Sequence, residues 1–372
     1  MSKTLPTAWT DHDRSLKPFL WKHRLVGLIS SVAQLGLVGW LIVGNRGEML
    51  ELASRRFSEY HFVRWLYFFA AIGILFKAVG FPFSYWHHHL DKQKGLSKQK
   101  LGSWLGDQMK GILVGFLIGT IVLYVFYFAA LSFHPYWWVG VWLFLIVFSI
   151  LLAQLAPVIL LPIFIKMKPM ENGELKDRLL ALAAKFQVKV KDVYHLGLGE
   201  KTEKGNAAFM GMGKTKRIVI GDTLYEKFPV AEVEAVFSHE LGHQVHNDLW
   251  KGLLVSSVSM LITLYFADLL FHEVVEPWLG HGLSTPFGFF VFLVGWILVQ
   301  MPLGVFQAAY SRSREWAADR FASEVTRMNL PLASALERLT FQNQTLFHPN
   351  PIWEFLTYSH PSPGRRIRKL KN

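Results

Sequence analysis

The chain has 372 residues, of which 52% are hydrophobic and 15% aromatic, and its formal net charge is +12. This apolar fraction is above that of a typical soluble domain, so membrane insertion explains the basic chain better than nucleic-acid binding does. The sequence contains no cysteine. That absence excludes a disulfide framework and a thiolate metal site, and any metal must be bound by His, Asp or Glu.

Six apolar segments are long enough to span a bilayer. Each is close to the roughly 20 residues that cross the hydrocarbon core as a helix. They lie at about 25–43, 62–84, 112–133, 137–165, 253–271 and 287–309. Their low charge and abundant Phe and Trp argue against buried helices of a soluble domain. The first is too long for the apolar core of a signal peptide and lacks a small-residue cleavage site, so we expect an uncleaved anchor.

The distribution of Lys and Arg predicts how the chain is oriented. Ten cations precede the first span or separate the second from the third: Lys3, Arg14, Lys17, Lys22, Arg24, Lys92, Lys94, Lys98, Lys100 and Lys110. The loops after the third and fifth spans have none, whereas the C-terminal tail RRIRKLKN is strongly basic. Because cytoplasmic loops retain positive charge, we expect both termini and residues 166–248 in the cytoplasm. Only the first outer loop, with three arginines partly offset by three glutamates, argues the other way.

This topology divides the chain into four regions. Residues 1–165 form an N-terminal membrane domain of four transmembrane helices with a basic cytoplasmic loop at 85–110. Residues 166–250 form a cytoplasmic insert, residues 251–310 two further transmembrane helices, and residues 311–372 a cytoplasmic C-terminal region. The predicted fold is an all-α multi-pass membrane protein with a small α+β cytoplasmic domain.

The cytoplasmic insert combines helix and strand patterns. Apolar residues recur at helical spacing in 170–188, which predicts an amphipathic helix. Segments 188–198 and 216–222 are rich in Val and Ile and read as short strands. The Gly-rich segment between them, 205–214, fits an edge strand with tight turns. Apolar residues again recur at helical spacing after Pro229, so we expect a helix there.

The helix after Pro229 carries the pentapeptide HELGH at 239–243. Residues four apart share one face of a helix, so His239 and His243 can bind one metal ion. Glu240 projects beside them and can act as general base on a water at that metal. By chance the pentapeptide occurs in roughly a few per cent of such chains, and its helical context raises its significance. A catalytic zinc needs a third protein ligand, and no third histidine follows, because position 249 is Leu.

A carboxylate on a second helix is the candidate for the third ligand. The segment SRSREWAADRFASE, 311–324, carries Glu315 and Asp319 one turn apart on one face. Glu315 would bind the metal, and Asp319 would orient a ligand histidine from behind. The alternative is an exposed helix on which neighbouring arginines form surface ion pairs with both carboxylates.

Together these motifs resemble the type I CAAX prenyl endopeptidases, a family of membrane-embedded zinc metalloproteases. HELGH, an apolar hairpin and SRxxExxAD follow one another as they do in that family. Segments 206–224 (NAAFMGMGKTKRIVIGDTL) and 359–367 (SHPSPGRRI) are similar to further family motifs, as are two short pieces of the basic loop, 95–99 and 104–110. The resemblance covers about 85–367. The chain looks like a shorter, prokaryotic-type member with six spans where the eukaryotic proteases have seven.

The resemblance implies a role for each residue of the metal site. One Zn²⁺ per chain would be bound by His239, His243 and Glu315. Glu240 would be the catalytic general base, and Asp319 would lie behind a ligand. The small cytoplasmic domain is accordingly expected to be a zinc-metalloprotease domain.

The resemblance also implies residues that bind substrate and stabilise charge. His360 and Asn206 would stabilise the developing oxyanion, and Arg366 would order the site from behind the ligands. The substrate would add as an extra strand. The strand that receives it would be formed by Asn206, Ala207, Ala208 and Phe209.

The sequence therefore predicts a zinc metalloendopeptidase with a cytoplasmic active site that cleaves membrane-associated polypeptides, including prenylated CAAX-type chains. It would reside in the plasma (inner) membrane of a prokaryote or in the endoplasmic reticulum of a eukaryote. One alternative is a membrane-protein quality-control protease without prenyl specificity. Another is a non-catalytic zinc-binding membrane scaffold, against which Glu240 argues because zinc binding alone does not need it. No nucleic-acid partner is expected, since the basic residues follow the topology.

Overall fold

The computed structural model describes residues 6–372, apart from the side chain of Lys214. Long helices form the N-terminal part. The first four are α1 (Thr7–Ile42), the short α2 (Arg46–Phe57), α3 (His61–Gln93) and α4 (Leu101–Ser132).

The next helical segment contains an irregular turn. Here α5 (Trp137–Leu155) continues through one π-helical turn, Ala156–Leu160, into α6 (Leu161–Phe164). Pro157 and Pro162 lie in this stretch. Proline lacks the N–H group that an α-helix needs, so the regular hydrogen-bond ladder is interrupted there.

A four-stranded sheet follows, with helix α7 (Glu174–Lys185) between its first two strands. The strands are β1 (Met167–Pro169), β2 (Val193–Leu196), β3 (Ala207–Met210) and β4 (Arg217–Gly221). Their spatial order is β1-β2-β4-β3, with β2 and β4 parallel and the other two pairs antiparallel. The predicted amphipathic helix, the two Val- and Ile-rich strands and the edge strand between them are all confirmed. A 3₁₀ turn, Gly213–Thr215, separates β3 from β4.

The remaining helices comprise two candidate membrane-spanning segments and the shorter helices that precede and follow them. The helix predicted after Pro229 is confirmed as α9, and α10 leads through a π-helical turn into α11. In chain order these helices are α8 (Asp222–Tyr225), α9 (Val230–Val245), α10 (Asp248–Leu270), α11 (Glu276–Leu279), α12 (Pro286–Arg320), α13 (Asn329–Gln342), α14 (Pro351–Thr357) and α15 (Pro363–Lys371).

Six helical segments of the described chain are long and apolar enough to cross a membrane, which confirms the predicted number. They are Thr7–Ile42, His61–Gln93, Leu101–Ser132, Trp137–Phe164, Asp248–Leu279 and Pro286–Val325. All six exceed the roughly 20 residues that the hydrocarbon core requires, so their ends carry polar turns beyond the apolar stretch. The last helix illustrates this, because α12 runs without interruption past position 311, where the sequence suggests that a separate cytoplasmic region begins.

Two hydrophobic cores hold the molecule together. The membrane core is strongly aromatic and includes Trp65, Phe126 and Phe289. The second core joins the sheet to α7, α9, α13 and α15, and Phe237 and Leu332 are among its buried residues. The chain is thus a mostly helical multi-pass membrane protein with a small sheet-containing domain, as predicted, and the metal motif lies on a helix of that second core.

Candidate metal centre

The helix α9 presents its two histidines because its opposite face is buried. Val233, Phe237 and Leu241 recur at helical spacing and are each at most 2% exposed in the second core. Full burial of such a side chain contributes roughly 1.5–3 kcal/mol, so this face fixes the rotation of the helix. His239 and His243 therefore point away from the core and towards α12.

Gly242 within HELGH allows α9 and α12 to pack closely. A Cβ atom at this position would lie 3.1 Å from Cα of Ala318 and 3.2 Å from Cβ of Phe321. Most side chains would be too large at this point of contact. The glycine thus lets the helix that carries the histidines approach the helix that carries Glu315.

The structure brings the three predicted metal ligands together. Nε2 of His239 lies 3.3 Å from Oε2 of Glu315, and Nε2 of His243 lies 3.3 Å from Oε1 of the same carboxylate. One ligand atom from each residue can be chosen so that all three lie within 4.8 Å of one another. Glu315 and Asp319 are only 5% and 3% exposed, so the alternative of an exposed helix with surface ion pairs is wrong.

The geometry of these side chains fits a metal ion. Two ligands about 2.0–2.2 Å from a tetrahedral zinc lie about 3.3–3.6 Å apart, which agrees with the two distances of 3.3 Å. The buried Oε2 of Glu315 makes no hydrogen bond in the described structure, although Nε2 of His239 and Nη1 of Arg366 lie 3.3 and 3.6 Å from it. A buried carboxylate oxygen without a hydrogen bond is costly unless a cation occupies the space before it. Two imidazoles and one carboxylate also form a common ligand set of catalytic zinc.

Asp319 and Arg366 lie behind His239, where the sequence analysis expects them. Oδ1 of Asp319 is 3.0 Å from Nδ1 of His239. Arg366 donates from Nε and Nη2 to the two oxygens of Asp319, at 2.9 and 2.7 Å. Burial lowers the pKa of His239, but the nearby carboxylates of Asp319 and Glu315 outweigh that effect and raise the pKa to about 9. The contact between Nδ1 and the Asp319 carboxylate favours the tautomer that carries its proton on Nδ1, which leaves Nε2 as the ligand atom when a metal is bound.

A second aspartate and arginine hold His243 in the same way, and neither is predicted from the sequence. Oδ2 of Asp248 is 2.9 Å from Nδ1 of His243, and Arg314 donates from Nε to the other oxygen of Asp248 at 2.7 Å. The signal available in the sequence is weak. A metal-binding histidine usually has a carboxylate partner, and Asp248 follows His243 by five residues. Its position depends on Asn247, whose φ of 56° ends α9 and starts α10.

Glu240 projects from α9 beside the two ligands and is partly buried. Its carboxylate has no hydrogen-bond partner in the described part of the chain, so it is available to a substrate or a water. Burial raises the pKa of this carboxyl above its ordinary value, and the repulsion from Glu315 acts in the same direction. A carboxyl whose pKa is moved towards neutrality exchanges protons more readily at physiological pH.

His360 also reaches the centre, from the loop between α14 and α15. Its Nε2 lies 3.3 Å from Oε1 of Glu315, and its Nδ1 is 2.9 Å from the hydroxyl of Ser359. The side chain is 61% exposed, in contrast to the ligands around it. Burial of one face still lowers the pKa of the ring. His360 therefore stands at the open side of the cluster as a neutral imidazole.

Asn206 directly precedes the edge strand β3, which contains Ala207 to Phe209 and pairs with β4 on one side. Its opposite side faces no other strand among residues 6–372. The strand packs on the metal-binding helix, where the rings of Phe209 and Phe237 are 5.1 Å apart. The side chain of Asn206 is exposed, and no hydrogen bond joins it to the ligand cluster within the described residues. The structure thus brings the strand near α9 without bringing Asn206 into the cluster.

Two family models match the chain over nearly its whole length. The model of peptidase family M48 matches residues 169–372. The model of the CAAX prenyl protease N-terminal region, described as five membrane helices, matches residues 11–166. The present chain has four candidate spans in that region.

Individual relatives cover most of the chain. It is 26% identical over 336 residues to the uncharacterized metalloprotease YhfN of Bacillus subtilis, a match that covers 88% of this chain and 78% of the relative. It is 28% identical over 327 residues to CAAX prenyl protease 1 of Saccharomyces cerevisiae, which covers 82% of this chain and 71% of the relative.

A solved structure shares the fold. The crystal structure of S. mikatae Ste24p superimposes with a TM-score of 0.88 at 22% identity, and the match covers 99% of this chain and 92% of that one. The M48 model alone spans more than half of the chain. The chain therefore belongs to peptidase family M48 and is a multi-pass membrane metalloprotease similar to the CAAX prenyl proteases.

Proposed function

We propose that the chain is a zinc metalloendopeptidase that cleaves membrane-associated polypeptides, including prenylated chains of the CAAX type. The observation that carries this proposal is the convergence of His239, His243 and Glu315, whose ligand atoms lie within 4.8 Å of one another beside Glu240. Zinc is the metal that best suits two imidazoles and one carboxylate in a hydrolase, because this set leaves one position for a reactant.

The residues around the ligands have separate tasks in peptide hydrolysis. When bound, zinc polarises the scissile carbonyl and makes water more acidic. Glu240 takes the proton from the attacking water and passes it to the leaving amine, for which its raised pKa is suited. Asp319 and Asp248 accept the Nδ1 protons of the two histidines and keep both rings in orientation.

Two further residues stabilise the charge that develops on the carbonyl oxygen. His360 is neutral because its pKa is lowered, and it donates a hydrogen bond from Nε2 at the open side of the centre. Asn206, directly before β3, donates from its carboxamide once a bound substrate brings it to the centre. Arg366 fixes Asp319 and through it His239, so it acts by positioning.

The substrate backbone adds to the free edge of β3. Strand addition provides main-chain hydrogen bonds without demanding a particular side-chain sequence. The packing of Phe209 on Phe237 ties this edge to α9, so a strand added there runs past the helix that carries Glu240. Such binding explains how one site can accept several polypeptides that share only an extended conformation.

The site belongs at the membrane surface on the cytoplasmic side. Glu315 lies on α12, whose first two thirds are apolar, so the centre is close to the bilayer and to chains anchored in it. The Lys and Arg residues of the loop before α4 and of α15 support a cytoplasmic orientation. The name of the yeast relative, CAAX prenyl protease 1, supports prenylated chains as one substrate class.

The test compares wild type, Glu240→Gln and Glu315→Ala after purification in detergent. Metal content is measured together with cleavage of a farnesylated CAAX peptide and of an unmodified, unfolded membrane protein. We expect about one zinc per chain in wild type, loss of zinc in Glu315→Ala, and retained zinc without turnover in Glu240→Gln. Wild type without zinc would refute the proposal. Cleavage of the unfolded protein alone would favour a quality-control protease, and retained function in Glu240→Gln would favour a scaffold.

A further inference from the structure

A cavity of about 250 Å³ opens beside the metal centre, between α10 and α12. His243 and Glu315 form one end of it. The other walls come from residues that follow Asp248 on α10 and precede Arg314 on α12, and these are the parts of both helices that enter the membrane. The cavity therefore extends from the metal centre towards the bilayer.

Polar side chains contribute to the walls of this cavity although it lies between membrane helices, while the larger part of its wall area is apolar. Four polar side chains contribute to them, namely Ser256, Gln307, Tyr310 and Ser311. None of the four makes a side-chain hydrogen bond within residues 6–372. Unpaired polar groups are expensive near the hydrocarbon region and usually mark the path or binding site of a polar ligand. The cavity thus offers both polar groups and apolar wall to a short piece of peptide.

Arg314 is the one Lys or Arg residue in the cavity wall. Its Nε donates to Asp248, which leaves both Nη groups without a hydrogen bond in the described structure. Its side chain is 24% exposed. The forked guanidinium group binds a carboxylate through parallel hydrogen bonds better than any other side chain.

The carboxylates that face the cavity do not accept hydrogen bonds from the Nη groups of Arg314. The oxygens of Asp248 are taken by Arg314 itself and by His243. The carboxylate of Glu315 faces the two ligand histidines. The Nη groups therefore remain the place where an incoming anion is best received.

We propose that this cavity receives the substrate residues on the carboxyl side of the cleaved bond, and that Arg314 binds the α-carboxylate at the substrate's C-terminus. The inference deepens the proposed function and rests on it. Gln307 and Glu315 are eight positions apart on α12, which corresponds to about 12 Å along the helix axis. A cavity of that length admits at most about three extended substrate residues. The volume is also below the roughly 300–1,000 Å³ of pockets for drug-sized ligands. The position of the cleaved bond is accordingly set by its distance from the substrate's free C-terminus.

The decisive experiment removes first the negative charge of the substrate's C-terminus and then the positive charge of Arg314. One farnesylated peptide is prepared as the free acid and as the C-terminal amide, and kcat/KM is measured for both. Wild type should prefer the acid by about tenfold or more, mostly through KM, as expected for a charge-assisted pair. In Arg314→Ala this ratio should fall to about one. Loss of support for Asp248 would slow both peptides alike, so it does not alter the ratio.

Two further variants separate the loss of the Arg314 charge from general effects of changing an arginine on this helix. Arg320→Ala removes an exposed arginine from the end of the same helix and should keep the wild-type ratio. Arg314→Gln keeps a polar side chain with N–H donors but removes the positive charge, so it should lose the ratio as Arg314→Ala does, which settles the matter if the alanine variant fails to fold.

A binding measurement gives an answer that does not depend on turnover. In the Glu240→Gln background, both peptides are titrated at equilibrium with and without the Arg314→Ala change. The acid should bind about tenfold or more tightly only when Arg314 is present. Equal binding and equal cleavage of acid and amide by wild type would overturn the inference while leaving the peptidase intact. Failure of wild type to bind zinc would instead overturn the proposed function.

Discussion

Each ligand histidine is held by an aspartate, and each aspartate is held by an arginine. Asp319 and Arg366 serve His239, and Asp248 serves His243 together with Arg314. A carboxylate behind an imidazole fixes which nitrogen carries the proton and makes the other a stronger ligand. The two supports differ in sequence distance, because one aspartate is five residues from its histidine and the other is eighty.

The first prediction concerns Asp248. Asp248→Asn keeps the size of the side chain and one acceptor oxygen but removes the charge that holds His243. We expect metal affinity to fall about 10- to 100-fold, which is the usual cost of losing such a partner. Competition with a chelator of known affinity measures it. Asp11→Asn, at a surface aspartate that is 71% exposed, is the control and should bind metal normally. Unchanged affinity in Asp248→Asn would show that His243 needs no support.

Part of this centre could be predicted from the sequence, because HELGH is a local pattern. The spacing of His239 and His243 needs only a helix to bring both to one face. The chemistry of zinc demands a third ligand and finds no third histidine, which makes Glu315 a candidate, and the family resemblance assigns it that role. The pairing of Asp248 with Arg314 depends on how α10 leaves the helix before it and on its distance from α12. No local pattern in the sequence carries that information.

At the scale of elements, the contact between α9 and α12 decides whether the metal site forms. Gly242→Ala tests it. Alanine normally favours a helix over glycine by roughly 0.8–1.0 kcal/mol, but here its Cβ would lie 3.1 Å from Cα of Ala318. Crowding of this kind costs about 1–3 kcal/mol, so we expect a lower unfolding temperature and weaker metal binding.

The control for this change is Gly106→Ala on α4, where nothing lies within 4 Å of the added atom. Thermal unfolding in detergent and metal content are measured for both variants, and the control should match wild type or exceed it. If Gly242→Ala were as stable as wild type and held its metal, close packing at this point would not be what assembles the site.

The elements themselves were predictable to different degrees. α7 and α9 show clear helical periodicity, β2 and β4 lie in Val- and Ile-rich runs, and β3 lies in the Gly-rich segment between them. β1 has only three residues and ends in Pro169, so it forms through its pairing with β2, which local preference does not reveal. The apolar stretch of α12 ends near residue 309, but the polar residues that follow are good helix formers and carry the helix on to Arg320.

At the scale of the whole molecule, the first helix, α1, packs against both the membrane core and the second core. The indole of Trp9 stacks on Phe347 with 4.6 Å between ring centroids, and its N–H donates to Glu337 at 2.6 Å. Asp13 accepts hydrogen bonds from the backbone N–H groups of Phe347 and His348, at 2.8 and 3.0 Å. The polar turns before the first apolar stretch are therefore docked on the metal-binding half, a long-range contact that hydropathy alone does not suggest.

The third prediction follows from that contact. Asp13→Ala leaves two backbone N–H groups without their acceptor, at a cost of about 1–3 kcal/mol. We expect a lower unfolding temperature and faster proteolysis of the segment around residue 347, with the metal still bound at low temperature. Asp11→Ala, two residues away on the exposed face of the same helix, is the matched control. Identical unfolding of the two variants would mean that the N-terminal turns do not stabilise the metal-binding half.

The unbroken course of α12 has a mechanical consequence. Its 35 residues make a rod of roughly 50 Å that is apolar at one end and holds Glu315 near the other, while the two histidines lie on α9, which is not among the candidate spans. Metal–ligand bonds tolerate about 0.2 Å, so an axial slip of one residue's rise, about 1.5 Å, would open the coordination sphere. Bilayer thickness thereby becomes a variable of the active site. Zinc retention in vesicles of graded acyl-chain length should pass through a maximum, and a flat profile would mean that the sheet-containing domain alone fixes the rod.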